Sequence, residues 1–267
     1  MRAWAAIALG AAALAAAAPA SAGARARSVD VTVMTFNIAS AVETDNALEP
    51  IAGYIGRFQP DAVGIQEVDR SWSRSGSLDQ AQELGDMLGM SWSFDANLDC
   101  AAEDLDGDGF CQYGTAVLTR YRLRASASRQ YRLPHPAGDE PRGLAQIGVM
   151  IGGRRVTVFN THLSVYAAAR RQQVRYILRV LAGIRGPFVL LGDFNARPDA
   201  VEIRWLDARL VDAARVAHVR RPTVAGTRID YVFASRGVQV LGARVPDPAS
   251  PPVSDHRPLI ARLRIGR

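Results

Sequence analysis

Pro187-Phe188-Val189-Leu190-Leu191-Gly192-Asp193-Phe194-Asn195 is an apolar run that stops abruptly in a polar turn. The run predicts a short strand over Pro187–Leu191. Gly, Asp and Asn favour turns, so Gly192 to Asn195 taken alone reads as the turn that ends it. Outward from this stretch the same pattern recurs. Polar clusters sit at the ends of apolar strands at Thr35-Phe36-Asn37-Ile38, Gln66-Glu67-Val68, Tyr113-Gly114-Thr115, Asn160-Thr161-His162-Leu163, Arg228-Ile229-Asp230-Tyr231 and Ser254-Asp255-His256-Arg257-Pro258. Singly, each has a plain structural reading: Glu67 as a solvated strand end, His162 as a satisfied core histidine, Asp255-His256 as a surface pair.

Between the clusters, strands are expected at Val29–Ile38, Ala62–Val68, Tyr113–Thr119, Ala145–Ile151, Val156–His162, Pro187–Leu191, Arg228–Ala234, Val238–Val245 and Leu259–Ile265. Helical spacing marks Ala47–Arg57, Leu78–Leu88 and Ala167–Ile184. The last carries Val174, Ile177, Leu178 and Leu181 on one face and several arginines on the other. No tandem repeat or long linker interrupts the chain, so residues 29–267 are expected to form one domain of packed sheets with helices outside.

Taken together the clusters hold the parts of a hydrolytic site. Asn37, Glu67 and Asp255 offer oxygen ligands to a hard divalent ion such as Mg²⁺. His162 and His256 can move protons near neutral pH. Asp230 can orient one of them, as the third member of a triad does. Tyr113, Arg142 and Asn195 can donate to phosphoryl oxygens. No serine or cysteine stands in a nucleophile elbow, and no zinc-type His/Cys spacing occurs. The chemistry implied is metal-assisted attack of water on a phosphate ester. His135, in a Pro-flanked loop, and His218, in an Arg-rich stretch, are read as structural.

The order and wording of the clusters resemble the endonuclease/exonuclease/phosphatase superfamily, which includes deoxyribonuclease I, exonuclease III, inositol polyphosphate 5-phosphatases and neutral sphingomyelinases. The similarity runs from about Val29 to Ile265. It implies an α+β fold: a four-layered αββα sandwich, two mixed β-sheets packed face to face with helices outside. It also implies Mg²⁺ or Mn²⁺ held chiefly by Glu67, with Asn37 and Asp255 nearby. His256, oriented by Asp230, would be general base or phosphate contact. Asp193 would position or deprotonate the attacking water, Asn195 would hold the phosphate, and His162 would stabilise the oxyanion or protonate the leaving group. The expected substrate is a phosphate ester, either a lipid head group or nucleic acid. No stable protein partner is implied, and a monomer is expected.

Composition agrees with a globular enzyme and says little more. The 267 residues are 48% hydrophobic and 22% charged, which excludes disorder and collagen-like fibre. The net charge is +6, and all 32 basic residues are arginine, each able to grip phosphate with two donors. Met1–Ala22 reads as a secretory signal peptide: Arg2, then an apolar Ala3–Ala18, then the small residues Ala20-Ser21-Ala22. The apolar run is shorter than the roughly 20 residues a membrane span needs. Export to the periplasm or medium is therefore expected, with residues 23–28 left as a loose tail. Export permits disulfides, and Cys100 and Cys111 are suitably placed for a local one. Between them, Asp104-Leu105-Asp106-Gly107-Asp108-Gly109 matches the first half of a calcium-binding loop. Asp104, Asp106 and Asp108 are thus candidate ligands for a structural Ca²⁺, against the alternative of a solvated acidic turn.

Overall fold

The computed structural model describes residues 28–100, 109–123 and 128–266. The expected signal peptide and the calcium candidates Asp104, Asp106 and Asp108 lie outside the described residues. In chain order the elements are β1 (Val29–Asn37), α1 (Glu49–Gly56), β2 (Ala62–Arg70), α2 (Gln80–Leu88), β3 (Ser91–Asp99), β4 (Gln112–Thr119), β5 (Ser128–Arg132), β6 (Gly143–Ile151), β7 (Arg154–His162), α3 (Ala167–Ala182), β8 (Phe188–Asp193), α4 (Val201–Asp207), β9 (Val211–Asp212), α5 (Ala213–Val216), β10 (Asp230–Ala234), β11 (Val238–Arg244) and β12 (Leu259–Ile265).

Two six-stranded sheets result, ordered β11-β12-β1-β2-β4-β3 and β5-β6-β7-β8-β10-β9. Each is antiparallel except at its centre, where β1 runs parallel to β2 and β7 parallel to β8. Parallel neighbours need a crossover, and α1 and α3 lie on those two connections. Inner-facing residues such as Val31, Val33, Val158, Val189 and Leu263 form the core between the sheets. Outer-facing residues of the first sheet, Met34, Phe36 and Ile65 among them, pack with Ile51, Ile55 and Leu84 of α1 and α2. Those of the second, including Phe159, Leu190 and Phe233, pack with Val174, Ile177 and Ile203 of α3 and α4. This is the expected four-layered αββα sandwich. It explains why β1 and β8 are apolar on both faces: each face is covered.

Local signals set the helix ends. Pro50 stands in the first turn of α1, where its missing N–H costs nothing. The Asp79 side chain caps α2 by accepting from the Gln82 N–H at 3.1 Å, and Gly89 closes it in the left-handed conformation. No described helix is long and apolar enough to cross a membrane.

Five elements were not expected. β3 escapes notice because Ser93, Asp95 and Asn97 face inward, so its inner row reads as a surface row. β5 is an exposed edge strand, and β9, α4 and α5 are short. The turn reading of Gly192-Asp193 also fails: both residues belong to β8, and Asp193 pairs across to Asp230 on one side and His162 on the other. The expected bridge between Cys100 and Cys111 is present, joining the ends of β3 and β4.

Candidate active site

The register of the second sheet lays Asp230, Asp193 and His162 in one row across β10, β8 and β7. All three are buried. From the first sheet, Asn37 and Glu67 come from the carboxyl ends of the parallel pair β1 and β2. The two sheets meet at Oδ2 of Asp193. It lies 3.2 Å from Nδ2 of Asn37, 3.5 Å from Nε2 of His162 and 3.7 Å from Nε2 of His256. Asn37 Nδ2 also donates to Oε1 of Glu67 at 2.8 Å, so one amide spans two carboxylates from different sheets. Its Oδ1 accepts from the Ala39 N–H at 3.0 Å, which fixes which way the amide faces.

Glu67 is aimed by backbone rather than by alternation. The β2–β4 register slips between Gln66 and Val68, and Glu67 occupies that bulge at a φ of 55°. A left-handed conformation is uncommon for glutamate and stores strain of roughly 1–3 kcal/mol. A bulge of this kind turns a side chain out of the pleat. Asn195 also stands at positive φ, 48°, where asparagine is better tolerated. Its N–H donates to Oδ1 of Asp193 at 2.8 Å, tying the turn after β8 to the row of Asp230, Asp193 and His162.

The two histidines have opposite surroundings. His256 is held by the loop before β12, where Ser254 Oγ donates to the Asn37 carbonyl at 2.7 Å and the His256 N–H donates to Ser254 Oγ at 3.1 Å. Its Nδ1 faces Oδ2 of Asp230 at 3.0 Å. Burial works against its charge. The hydrogen bond and charge of Asp230, helped by Asp193 and Asp255, outweigh that and push the imidazolium pKa up to about 9. His162 has no such ion pair at Nδ1. Burial, with the positive charges of Arg142 and His256, drives it well below the ordinary histidine range, so it is neutral. Asp193 lies between them. Burial and the neighbouring charge of Asp230 push its carboxyl up to about 7, against the pull of His256.

Beside Glu67 opens a cavity of about 260 Å³, walled by Val42, Trp72, Leu98 and Tyr113 with Arg74 and Glu140. Arg74 is fixed by two bonds to Asp69 at 2.8 and 2.7 Å and stacks on the Trp72 ring. Burial, then the charges of Glu67 and Glu140, raises the Tyr113 hydroxyl, which therefore stays protonated and can donate. Arg142 is buried, with NH1 3.0 Å from Glu140 Oε1. Glu140 was missed from sequence. The available signal was its position two residues before Arg142, in the same Pro-containing loop.

Every expected catalytic residue thus lies at one edge of the sandwich. Asp255 is exposed there and acts on His256 through charge. His135 and His218 are exposed and take no part in these contacts. Ligand atoms of Asp193, Asp230 and His256 all lie within 4.8 Å of one another, and Oδ1 of Asp230 is buried with no partner. Carboxylate and amide oxygens suit a hard divalent ion, so the residues present fit one.

A family model described as the Endonuclease/Exonuclease/phosphatase family matches residues 34–256. The chain belongs to that family. Solved structures agree with the fold. An endonuclease/exonuclease/phosphatase from Beutenbergia cavernae is 28% identical over 89% of this chain and 72% of its own, with a TM-score of 0.72. The human nocturnin catalytic domain with bound sulfate is 22% identical, covering 88% and 93%, at 0.69. A Bacteroides thetaiotaomicron mannosyl-6-phosphatase is 17% identical, covering 87% and 99%, at 0.68. The search of curated proteins found no match. This endonuclease/exonuclease/phosphatase chain is accordingly a hydrolase of phosphoester bonds, and its acidic cluster is one that could hold a metal.

Proposed function

We propose that the protein is an exported phosphodiesterase, dependent on Mg²⁺ or Mn²⁺, that cleaves its ester by direct attack of water. The observation that carries the reading is the convergence of an amide and two imidazoles on one oxygen of Asp193. Glu67, with Asp193, Asp230 and Asp255 close by, would hold the ion, and Asn37 would join them by turning its amide oxygen from the Ala39 N–H. When bound, the ion supplies an electrophile that polarises the phosphoryl oxygen.

The residues divide the remaining work. Asp193, whose affinity for a proton is tuned to about pH 7, takes a proton from the attacking water as the new P–O bond forms. His256, charged at neutral pH and oriented by Asp230, faces the non-bridging oxygens with Asn195, Tyr113 and Arg142. His162 Nε2, 3.5 Å from Asp193, receives the proton and passes it to the leaving oxygen as the old P–O bond breaks. Asn195 donates to Nε2 in this arrangement, so it must turn to the phosphate for the transfer to occur.

A lipid head group and a nucleic acid both satisfy this chemistry. A secreted nuclease is favoured by the exposed arginines Arg197 and Arg220 on loops flanking the site. The test is to incubate the mature protein with Mg²⁺ against plasmid DNA, sphingomyelin, a phosphoinositide, bis-p-nitrophenyl phosphate and the monoester p-nitrophenyl phosphate. Diester cleavage that stops in EDTA and returns with Mg²⁺ or Mn²⁺ is expected. Cleavage of the monoester alone would make it a phosphatase, and turnover undiminished by EDTA would remove the metal. Export is checked by the N-terminus of the protein recovered outside the cytoplasm.

A further inference from the structure

Two asparagines cross the space between the sheets, each seated against a glycine. Asn160 is the satisfied one. Its Nδ2 donates to the carbonyls of Ile65 and Ala116 at 2.9 and 2.8 Å, and its Oδ1 accepts from Gln66 at 2.6 Å. A Cβ on Gly64 would sit 2.7 Å from that Oδ1, so glycine is what admits the amide. Asn97 is the contrast. It is 4% exposed, yet neither Oδ1 nor Nδ2 has a partner among the described residues. It is the extra residue where β3 slips its register on β4 between Ala96 and Leu98. The bulge is matched on the other sheet by Gly143, where any Cβ would collide with Oδ1 of Asn97. Two backbones are thus shaped around an amide that bonds nothing, although buried polar groups are almost always paired.

What lies next to Gly143 gives the amide a use. The β6–β7 register pairs Leu144 with Thr161, so its continuation sets Gly143 opposite His162. Side chains of opposed residues share a face. His162 is therefore set on the same face as Gly143, the glycine against which Asn97 is seated. The proton on the His162 ring can be located. Asn195 Nδ2 donates to the Leu163 carbonyl at 2.9 Å, which fixes the Asn195 amide, and the same nitrogen lies 3.0 Å from Nε2 of His162. A donor facing Nε2 makes Nε2 an acceptor and puts the ring proton on Nδ1. No described residue hydrogen-bonds Nδ1.

We propose that Asn97 is a positioning residue for His162, its Oδ1 accepting the Nδ1–H through one water shared with Asp95 and Thr115. Oδ2 of Asp95 and Oγ1 of Thr115 are buried and unpartnered too, and the two residues face each other across β3 and β4. A water there would have the two to four polar partners that a buried water requires. The bond holds the ring in the tautomer that leaves Nε2 open toward Asp193. It also keeps an acceptor on Nδ1 when Nε2 takes up its proton. The role in turnover rests on the proposed hydrolysis; the tautomer does not.

The test is ¹⁵N NMR of the His162 ring at neutral pH together with kinetics on bis-p-nitrophenyl phosphate, in wild type, Asn97→Ala and Asn97→Asp. Wild type should show the Nδ1–H tautomer. Asn97→Ala should shift toward a mixture of tautomers and lose about 10- to 100-fold in kcat with KM nearly unchanged, as loss of a ligand-orienting partner does. Asn97→Asp retains an acceptor and should keep both the tautomer and most of the activity. Should Asn97→Ala fail to fold, Asn97→Ser, whose hydroxyl is too short to reach, replaces it. Ring signals and kcat unchanged in the alanine or serine variant would overturn the proposal, as would an aspartate variant as impaired as alanine. A wild type that hydrolyses no substrate would sink the hydrolytic reading, and the ring signals would still decide this one.

Discussion

The space between the two sheets has two ends, and the same strands build both. Followed inward along β1, the row facing the other sheet is Val31, Val33, Thr35, Asn37. Along β7 it is Val156, Val158, Asn160, His162, and along β8 Val189, Leu191, Asp193. β4 runs from Val117 to Thr115, and β10 from Ala234 through Val232 to Asp230. One end is apolar but for Asp61 and Tyr121 at its margin. The other is a buried polar layer with unpartnered atoms on Asp95, Asn97, Thr115 and Asp230, and with two residues at positive φ. Unsatisfied buried polar groups each cost about 1–3 kcal/mol. The difference teaches how the site is made. The apolar halves of the strands supply the stability, and the last one or two inward positions are given over to chemistry.

That division can be broken from either side. The largest effect should come at the dyad: His256→Ala should lower kcat by about 10³-fold, within the usual range for a proton-handling group. Adding Asp230→Ala should cost little more, because the two act as a unit. Fully additive losses in the four-variant cycle would show that they are uncoupled and would move the weight to Asp193. Next, Glu67→Gln should reduce activity on the order of 10²-fold or more, with the melting temperature held, because glutamine keeps the size and backbone conformation and removes only the charge. A large fall in stability would instead make Glu67 a structural residue.

Asp95 sharpens the comparison through pH. Burial pushes its carboxyl up to about 7, whereas in the unfolded chain it titrates near 3.8. The folded state therefore holds the proton more tightly, and wild-type stability falls as pH rises from about 4 to about 7. Asp95→Asn cannot ionise. Its advantage over wild type should be small at pH 4, grow through that window and level off at about 4 kcal/mol above pH 7. Denaturant melts across the range will show this, and a gap independent of pH would refute it. The smallest effect belongs to the apolar end. Ile147→Val should cost about 1 kcal/mol of stability while activity per folded molecule stays at the wild-type level. Loss of kcat there would mean that the two ends are not separable.

Much of this was legible in advance. All nine expected strands form, because β1, β2, β7, β8 and their neighbours carry apolar residues on covered faces. α3 follows from the 3.6-residue spacing of Val174, Ile177, Leu178 and Leu181. β3 was not legible, since an inward row of Ser93, Asp95 and Asn97 has the pattern of a solvated surface. The candidate residues that gather at one edge of the sandwich could be named from type and position at strand ends. Taken alone, Gly192-Asp193 read as a turn, because glycine and aspartate carry the same local preferences whether or not a partner strand is waiting; the family resemblance is what marked Asp193 as a candidate. Glu140 was marked only by its place two residues before Arg142, and Asn97 carried no local mark of function.

Sequence alone therefore determined the strand inventory, the apolar layers, the cysteine pair and the identity of the polar groups, because these follow from hydrophobic period and side-chain chemistry. Tertiary structure decided the rest. Only the cross-strand register sets Asp230, Asp193 and His162 in a row, and only the meeting of two sheets puts Asn37 between Glu67 and Asp193. Two histidines of identical intrinsic basicity leave that assembly in different charge states, one cationic and one neutral, since one gains a buried carboxylate at Nδ1 and the other only desolvation and positive neighbours. Proton affinity is set by burial and by distances of 3 to 4 Å between groups far apart in the chain, and no local reading of residues contains those distances.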